Sequence, residues 1–96
     1  MKMLMLVYSG PNSRRVTSLL DRHGATGYTE FRGVHGAGTT GRREGTRAWP
    51  GESALFLSVV SAAQADSLVA TLGTEARQLP SGEHLHVAVF PLETFL

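Results

Sequence analysis

An α+β fold, with one four-stranded antiparallel sheet and two helices on one of its faces in the order βαββαβ, is what this sequence predicts. Three observations carry that reading. Four short stretches are continuously apolar or alternate in polarity; two stretches with apolar residues at helical spacing separate them; and Gly, Pro and Ser clusters mark the junctions. With 42% hydrophobic residues in a chain of 96, there is material for one layered core and not for two, so residues 1–96 are expected to form a single domain.

The elements follow in order. Residues 3–8, Met-Leu-Met-Leu-Val-Tyr, are apolar at every position, the mark of a strand covered on both faces. At about seven residues the opening stretch is too short to span a bilayer. It also lacks a small-residue cleavage site, so the expectation is a first strand and a cytoplasmic protein. Ser9-Gly10-Pro11-Asn12 breaks the strand. Val16, Leu19, Leu20 and His23 then recur at helical spacing, with Pro11 near the start and Gly24 just past the end. Residues 26–35 alternate as a partly exposed second strand.

Residues 36–52 hold five glycines, three arginines and a Trp49-Pro50-Gly51 turn signal without either period, which predicts a long loop. Residues 54–60 are short and rich in Leu, Phe and Val, a buried third strand. Ser61 with Gln64 three residues on is a capping-box signature, and Ala65, Leu68, Val69 and Leu72 form the stripe of a second helix that Gly73 is expected to weaken or end. After Pro80-Ser81-Gly82, residues 84–90 alternate His84, His86, Ala88 and Phe90 against Leu85, Val87 and Val89, a fourth strand. This ferredoxin-like layout puts both helices on one sheet face and leaves the other bare unless a partner covers it. The doubly apolar first strand therefore predicts an oligomer.

Composition narrows the function. A net charge of +1 gives no overall footprint for nucleic acid or an anionic membrane. The absence of cysteine removes disulfides, thiolate metal sites and thiol nucleophiles together. No H-E-x-x-H, no G-x-S-x-G and no close carboxylate pair is present, so catalysis is not expected. An RNA-recognition module needs exposed aromatics and basic residues on its inner strands, and residues 54–60 offer one Phe and no charge.

Two regions carry chemistry. Gly36 to Gly41 spells G-x-G-x-x-G after a strand, a weak signal alone, and the helix that a dinucleotide fingerprint opens at its third glycine has no period here. Closely spaced glycines do let backbone N–H groups approach an anion, and Arg42, Arg43 and Arg47 can pair with phosphate; the plain alternative is a solvated hairpin tip. Trp49 is expected to anchor the loop's return by packing. On the last strand, His84 and His86 stand at i and i+2 and share a face, as metal ligands or as interface residues. Zinc or copper would need a third donor, for which His35 and Glu83 are the candidates. His23 is explained by the helix C-terminus it occupies.

Three stretches carry a resemblance. Residues 23–29, His-Gly-Ala-Thr-Gly-Tyr-Thr, look like a Gly-x-x-Gly-x-Thr lead into the second strand; Gly36-Ala37-Gly38 stands at the base of the loop; and residues 87–93, Val-Ala-Val-Phe-Pro-Leu-Glu, look like a "VFPVE"-type last strand. Together they resemble the P-II superfamily of small trimeric signalling proteins. The resemblance implies a homotrimer with adenine-nucleotide clefts between subunits, and a loop that signals to a membrane transporter or an enzyme. It places His35, Gly36, Gly38, Thr39 and Thr40 at the loop base and His86 near a phosphate-binding lysine of the family. Gly82-Glu83-His84-Leu85-His86 replaces the family's glycine-lysine turn.

The sequence thus leads to a small effector-binding regulator. Its ligand is expected to be an adenine nucleotide or a small anion such as bicarbonate, contacted by His35, Gly36, Gly38, Thr39, Thr40, Arg42, Arg43, Glu83 and His86 and signalled through residues 36–52. The competing reading is a zinc- or copper-binding module using His84 and His86. An enzyme acting on a phosphoester or acyl phosphate stands third, since no group to activate water is evident.

Overall fold

In the computed structural model, residues 1–25, 27–38, 41–43 and 53–96 are described. They form β1 (Lys2–Ser9), α1 (Arg14–Arg22), β2 (Thr29–Val34), β3 (Gly36–Gly38), β4 (Gly41–Arg43), β5 (Ser53–Val60), α2 (Ala62–Arg77) and β6 (His84–Pro91). The main sheet has the order β2-β5-β1-β6 with every neighbouring pair antiparallel, and β3 and β4 make a separate two-stranded hairpin. The predicted βαββαβ order holds, with the hairpin added between its second and third strands.

Alternation along β1 sets the layers. Leu4, Leu6 and Tyr8 point to one side and have no exposed surface. There they meet Phe56 of β5, Leu85 of β6, Val16, Leu19 and Leu20 of α1, and Ala65, Leu68 and Leu72 of α2. Tyr28 packs edge-on to Phe56, ring centroids 6.4 Å apart. Met3, Met5 and Val7 point to the other side and are half-buried, as are Leu55, Leu57 and Val59 of β5. Phe31 and Phe90, on the same side, are 45% and 40% exposed. The first strand was expected to be covered on both faces. Within one chain the helices cover only one, because two amphipathic helices suffice for a single face of four strands.

Two expectations about helices are corrected. Gly73 does not end α2, which runs on to Arg77. The helix continues because Ala76 extends the stripe of Ala65, Leu68 and Leu72 onto the core, where Leu79, just past the helix end, also packs. Packing of that length outweighs the penalty of one glycine, about 1 kcal/mol relative to alanine. Val69 lies outside the stripe, at 39% exposure. The capping box at the other end of α2 is present in full: the Ser61 hydroxyl accepts from the Gln64 backbone N–H, and the Gln64 side chain accepts from the Ser61 backbone N–H. His23 caps α1 from an exposed position, its backbone N–H donating to the Leu19 carbonyl.

The expected long loop also changes. Residues 36–43 form the β3–β4 hairpin in part, with Gly36 opposite Arg43 and Gly38 opposite Gly41. Glycine carries no side chain to alternate, so a strand of Gly-Ala-Gly shows no period in sequence. Trp49 and Arg47 lie outside the described residues. No helix among the described residues is long and apolar enough to cross a membrane.

Candidate anion and nucleotide site at one end of the sheet

One row of residues crosses all four strands at the end of the sheet from which the hairpin leaves. Val34 of β2 pairs with Ser53 of β5, Ser53 with Ser9 of β1, and Ser9 with His84 of β6. The next row, on the same face, holds Leu55, Val7 and His86. His35 and Gly36 follow Val34 directly and are exposed. The turn into the hairpin is prepared at Gly33, whose φ of 64° falls in the left-handed region that favours glycine, where the β2–β5 register also shifts. This end of the sheet therefore gathers residues that sequence places far apart: His35 and Gly36, Ser9, Ser53, and His84 with His86.

Behind the row lies a polar junction on the helix side. The Tyr8 hydroxyl, at the end of an otherwise apolar core residue, donates to Glu83 Oε1 at 2.5 Å and accepts from the Asn12 backbone N–H at 3.1 Å. Arg15 of α1 donates to the same carboxylate through Nε, 3.0 Å from Oε1, and Nη2, 3.4 Å from Oε2. The Glu83 side chain is only 6% exposed. Burial and the Glu83 bond hold the Tyr8 phenol above its usual range, and the same carboxylate raises the Arg15 guanidinium. Gly10 is required here by space: a Cβ on it would lie 2.5 Å from the Tyr8 hydroxyl and 2.8 Å from Glu83 Cγ.

These contacts decide what several of the expected site residues can do. Glu83 was expected to face an effector or serve as a third metal donor; both its oxygens are instead bonded to Tyr8 and Arg15, so it holds the turn before β6 against β1 and α1. His84 and His86 do share a face, His84 half-buried and His86 exposed. No group of three His, Cys, Asp or Glu able to hold a metal ion exists among the described residues. The zinc or copper reading, for which His84 and His86 were the ligands, is not carried further. Gly36, Gly38, Arg42 and Arg43 lie on the hairpin, and Thr39 and Thr40 fall outside the described residues. Sequence reasoning missed Tyr8, Arg15, Ser9 and Ser53, because their partners are 44 to 75 positions away.

A family model described as nitrogen regulatory protein P-II matches residues 1–91. The chain belongs to the P-II family. That is a family of regulatory proteins. This P-II chain is similar in fold to solved structures of CPII, a nitrogen regulatory PII-like protein from Thiomonas intermedia K12. One, bound to ADP, AMP and bicarbonate, is 22% identical with a TM-score of 0.68, covering 92% of this chain and 85% of that one. A second with the same ligands is 21% identical at a TM-score of 0.66, covering 94% and 93%. A third, bound to ADP and bicarbonate, is 23% identical at 0.67, covering 92% and 85%. No curated protein matches the chain.

Proposed function

We propose that this P-II protein is a homotrimeric, cytoplasmic regulator that binds an adenine nucleotide and bicarbonate in clefts between subunits and signals through residues 36–52 to a transporter or an enzyme. The observation that carries the reading is the convergence of the hairpin base with the start of β6 at one end of a sheet whose second face is apolar and open. Such a face fits the packing of subunit on subunit, and a cleft beside it would then be walled by two chains. The likeness to CPII bound to ADP, AMP and bicarbonate supports the ligand class.

In this reading the nucleotide phosphates meet cations and backbone donors. Arg42 and Arg43 supply guanidinium groups suited to bidentate phosphate pairing, and Gly36 and Gly38 allow close approach of backbone N–H groups. Thr39 and Thr40 add hydroxyl donors, and His35 and His86 flank the same end. Glu83 acts at one remove, by fixing the turn that leads into His84 and His86. Binding that favours one arrangement of residues 36–52 shifts the equilibrium toward it, and a partner reads the result.

Titration calorimetry of the purified protein with ADP, AMP and sodium bicarbonate tests the proposal. Saturable heat with ADP or AMP, enhanced by bicarbonate, is the expected result. A protein that gives no heat and no rise in melting temperature with any of the three is not such a sensor.

A further inference from the structure

Past β6 the chain turns back over the sheet. The Leu92 backbone N–H donates to the Met1 carbonyl at 3.2 Å, the one such bond that ties residues 92–96 to the sheet among the described residues. Phe95 then lies over the open face, where it walls a cavity of about 340 Å³ together with Met3 of β1, Leu57 and Val59 of β5, and Thr29 at the start of β2. β6 is an edge strand, and β5 stands two strands in from it. Adjacent strands are about 4.8 Å apart and three residues of extended chain span about 10 Å, so residues 93–95 have just the reach to cross β1. The tail is a strap across the sheet, at the end opposite the hairpin.

What the strap presents outward is apolar. Phe95 is 62% exposed and Leu96 fully so, although the ring already has an apolar wall on its inner side. Large apolar side chains gathered at one place on a surface mark a contact site. The face beneath has a single chemistry. Along β1, β5 and β6 its residues include no Asp, Glu, Lys or Arg, and Met3, Met5, Val7, Leu55, Leu57 and Val59 make up its middle. Such a surface has no charge with which to recruit a nucleic acid, an anionic lipid or a charged peptide. It is matched by a second surface of its own kind, as in the interfaces between identical subunits, which are the more apolar class.

We propose that residues 92–96 belong to the contact between subunits, with Phe95 as its anchor. The exposed side of the ring packs on a second copy of the chain, and the cavity behind the ring closes when that copy arrives. A ring already held against a wall by a short crossing loses little freedom on binding, which is what suits a residue to anchor an interface. The inference deepens the homotrimer reading and rests on it, adding a contact at the end of the sheet away from the hairpin base.

Sedimentation equilibrium of the full chain over a range of concentrations tests this, for wild type, Phe95→Ala, Phe95→Leu, Phe95→Asp, Leu57→Asp and Val69→Ala, with circular dichroism on each. Phe95→Ala is expected to raise the concentration at which half the chains are assembled by about tenfold or more, and Phe95→Asp to give single chains. Phe95→Leu, which keeps an apolar side chain, is expected to stay within about threefold of wild type. Val69 is 39% exposed on α2, in the helix layer, and Val69→Ala is expected to assemble as wild type does. Because more than half of Phe95 is exposed, its variants are expected to keep the wild-type helical signal.

Phe95→Ala and Phe95→Asp that assemble as wild type does, while Leu57→Asp gives single chains, overturn the strap contact and leave the packing of subunits on the open face standing. If Leu57→Asp also assembles as wild type does, the strap contact falls together with the open face as the interface. Val69→Ala weakened as much as Phe95→Ala overturns the strap contact, because the loss then has no place on the strap. Wild type that sediments as one chain at every concentration overturns both the strap contact and the homotrimer.

Discussion

Tyr8 is a core residue by position and a polar residue at its tip, and the contact it makes there can be tested alone. Tyr8→Phe removes the bond to Glu83 and leaves the Asn12 N–H without its acceptor, while Arg15 still pairs with the carboxylate. A hydrogen bond to a charged group contributes about 1.5–3 kcal/mol, so urea unfolding at neutral pH is expected to show a loss of that order. The pH dependence has a definite sign. The phenol is held above its ordinary value of 10.0 in the folded protein, so the folded state keeps the proton that the unfolded state releases. The stability it contributes is complete below that ordinary value and is lost as pH rises through the folded pKa. The gap in stability between wild type and Tyr8→Phe is therefore expected to narrow when unfolding is repeated above pH ~10.

At the scale of the element, α2 shows a local rule overridden by its surroundings. Gly73 sits inside the helix, and the nearest atom to a Cβ placed there is Arg77 Nη1 at 3.8 Å, an ordinary contact. Gly73→Ala is therefore expected to raise stability by about 0.5–1 kcal/mol, read as a shift in urea midpoint with unchanged slope. A drop in midpoint would mean that the backbone at this position needs glycine for a reason other than space. The β3–β4 hairpin shows the opposite case, strands formed from residues whose sequence carries no alternation to read. Residue type said loop, and cross-strand pairing of Gly36 with Arg43 made strand.

For the whole molecule, the open sheet face is the feature that a single chain leaves unresolved. Met3, Met5, Val7, Leu55, Leu57 and Val59 are half-buried there, and Phe31 and Phe90 stay exposed. A cavity of about 340 Å³ opens on the same face between Met3, Leu57, Val59 and Phe95, at the end remote from Ser9 and Ser53. Light scattering on the wild-type protein is expected to give the mass of three chains. Leu57→Asp, which puts a carboxylate in the middle of that face, is expected to give one chain with its helical content intact by circular dichroism. A wild-type protein that is monomeric at high concentration would remove the trimer, and with it any cleft walled by two subunits.

By itself the sequence determined the βαββαβ order, the capping box of α2, the apolar stripe of α1, that of α2 apart from Val69, and the resemblance that the family match bears out, because each is written in residues a few positions apart. Apolar period, cap spacing and short motifs are local, and local patterns survive in a linear text. The tertiary structure alone decided the role of Glu83, which reads as a free carboxylate until Tyr8 and Arg15 are brought to it from 75 and 68 residues away. It also decided that Ser9 and Ser53 meet, and that His35, His84 and His86 lie at one end of the sheet. Strand register sets those neighbours, and register follows from packing the whole apolar face, so no segment of the chain contains it.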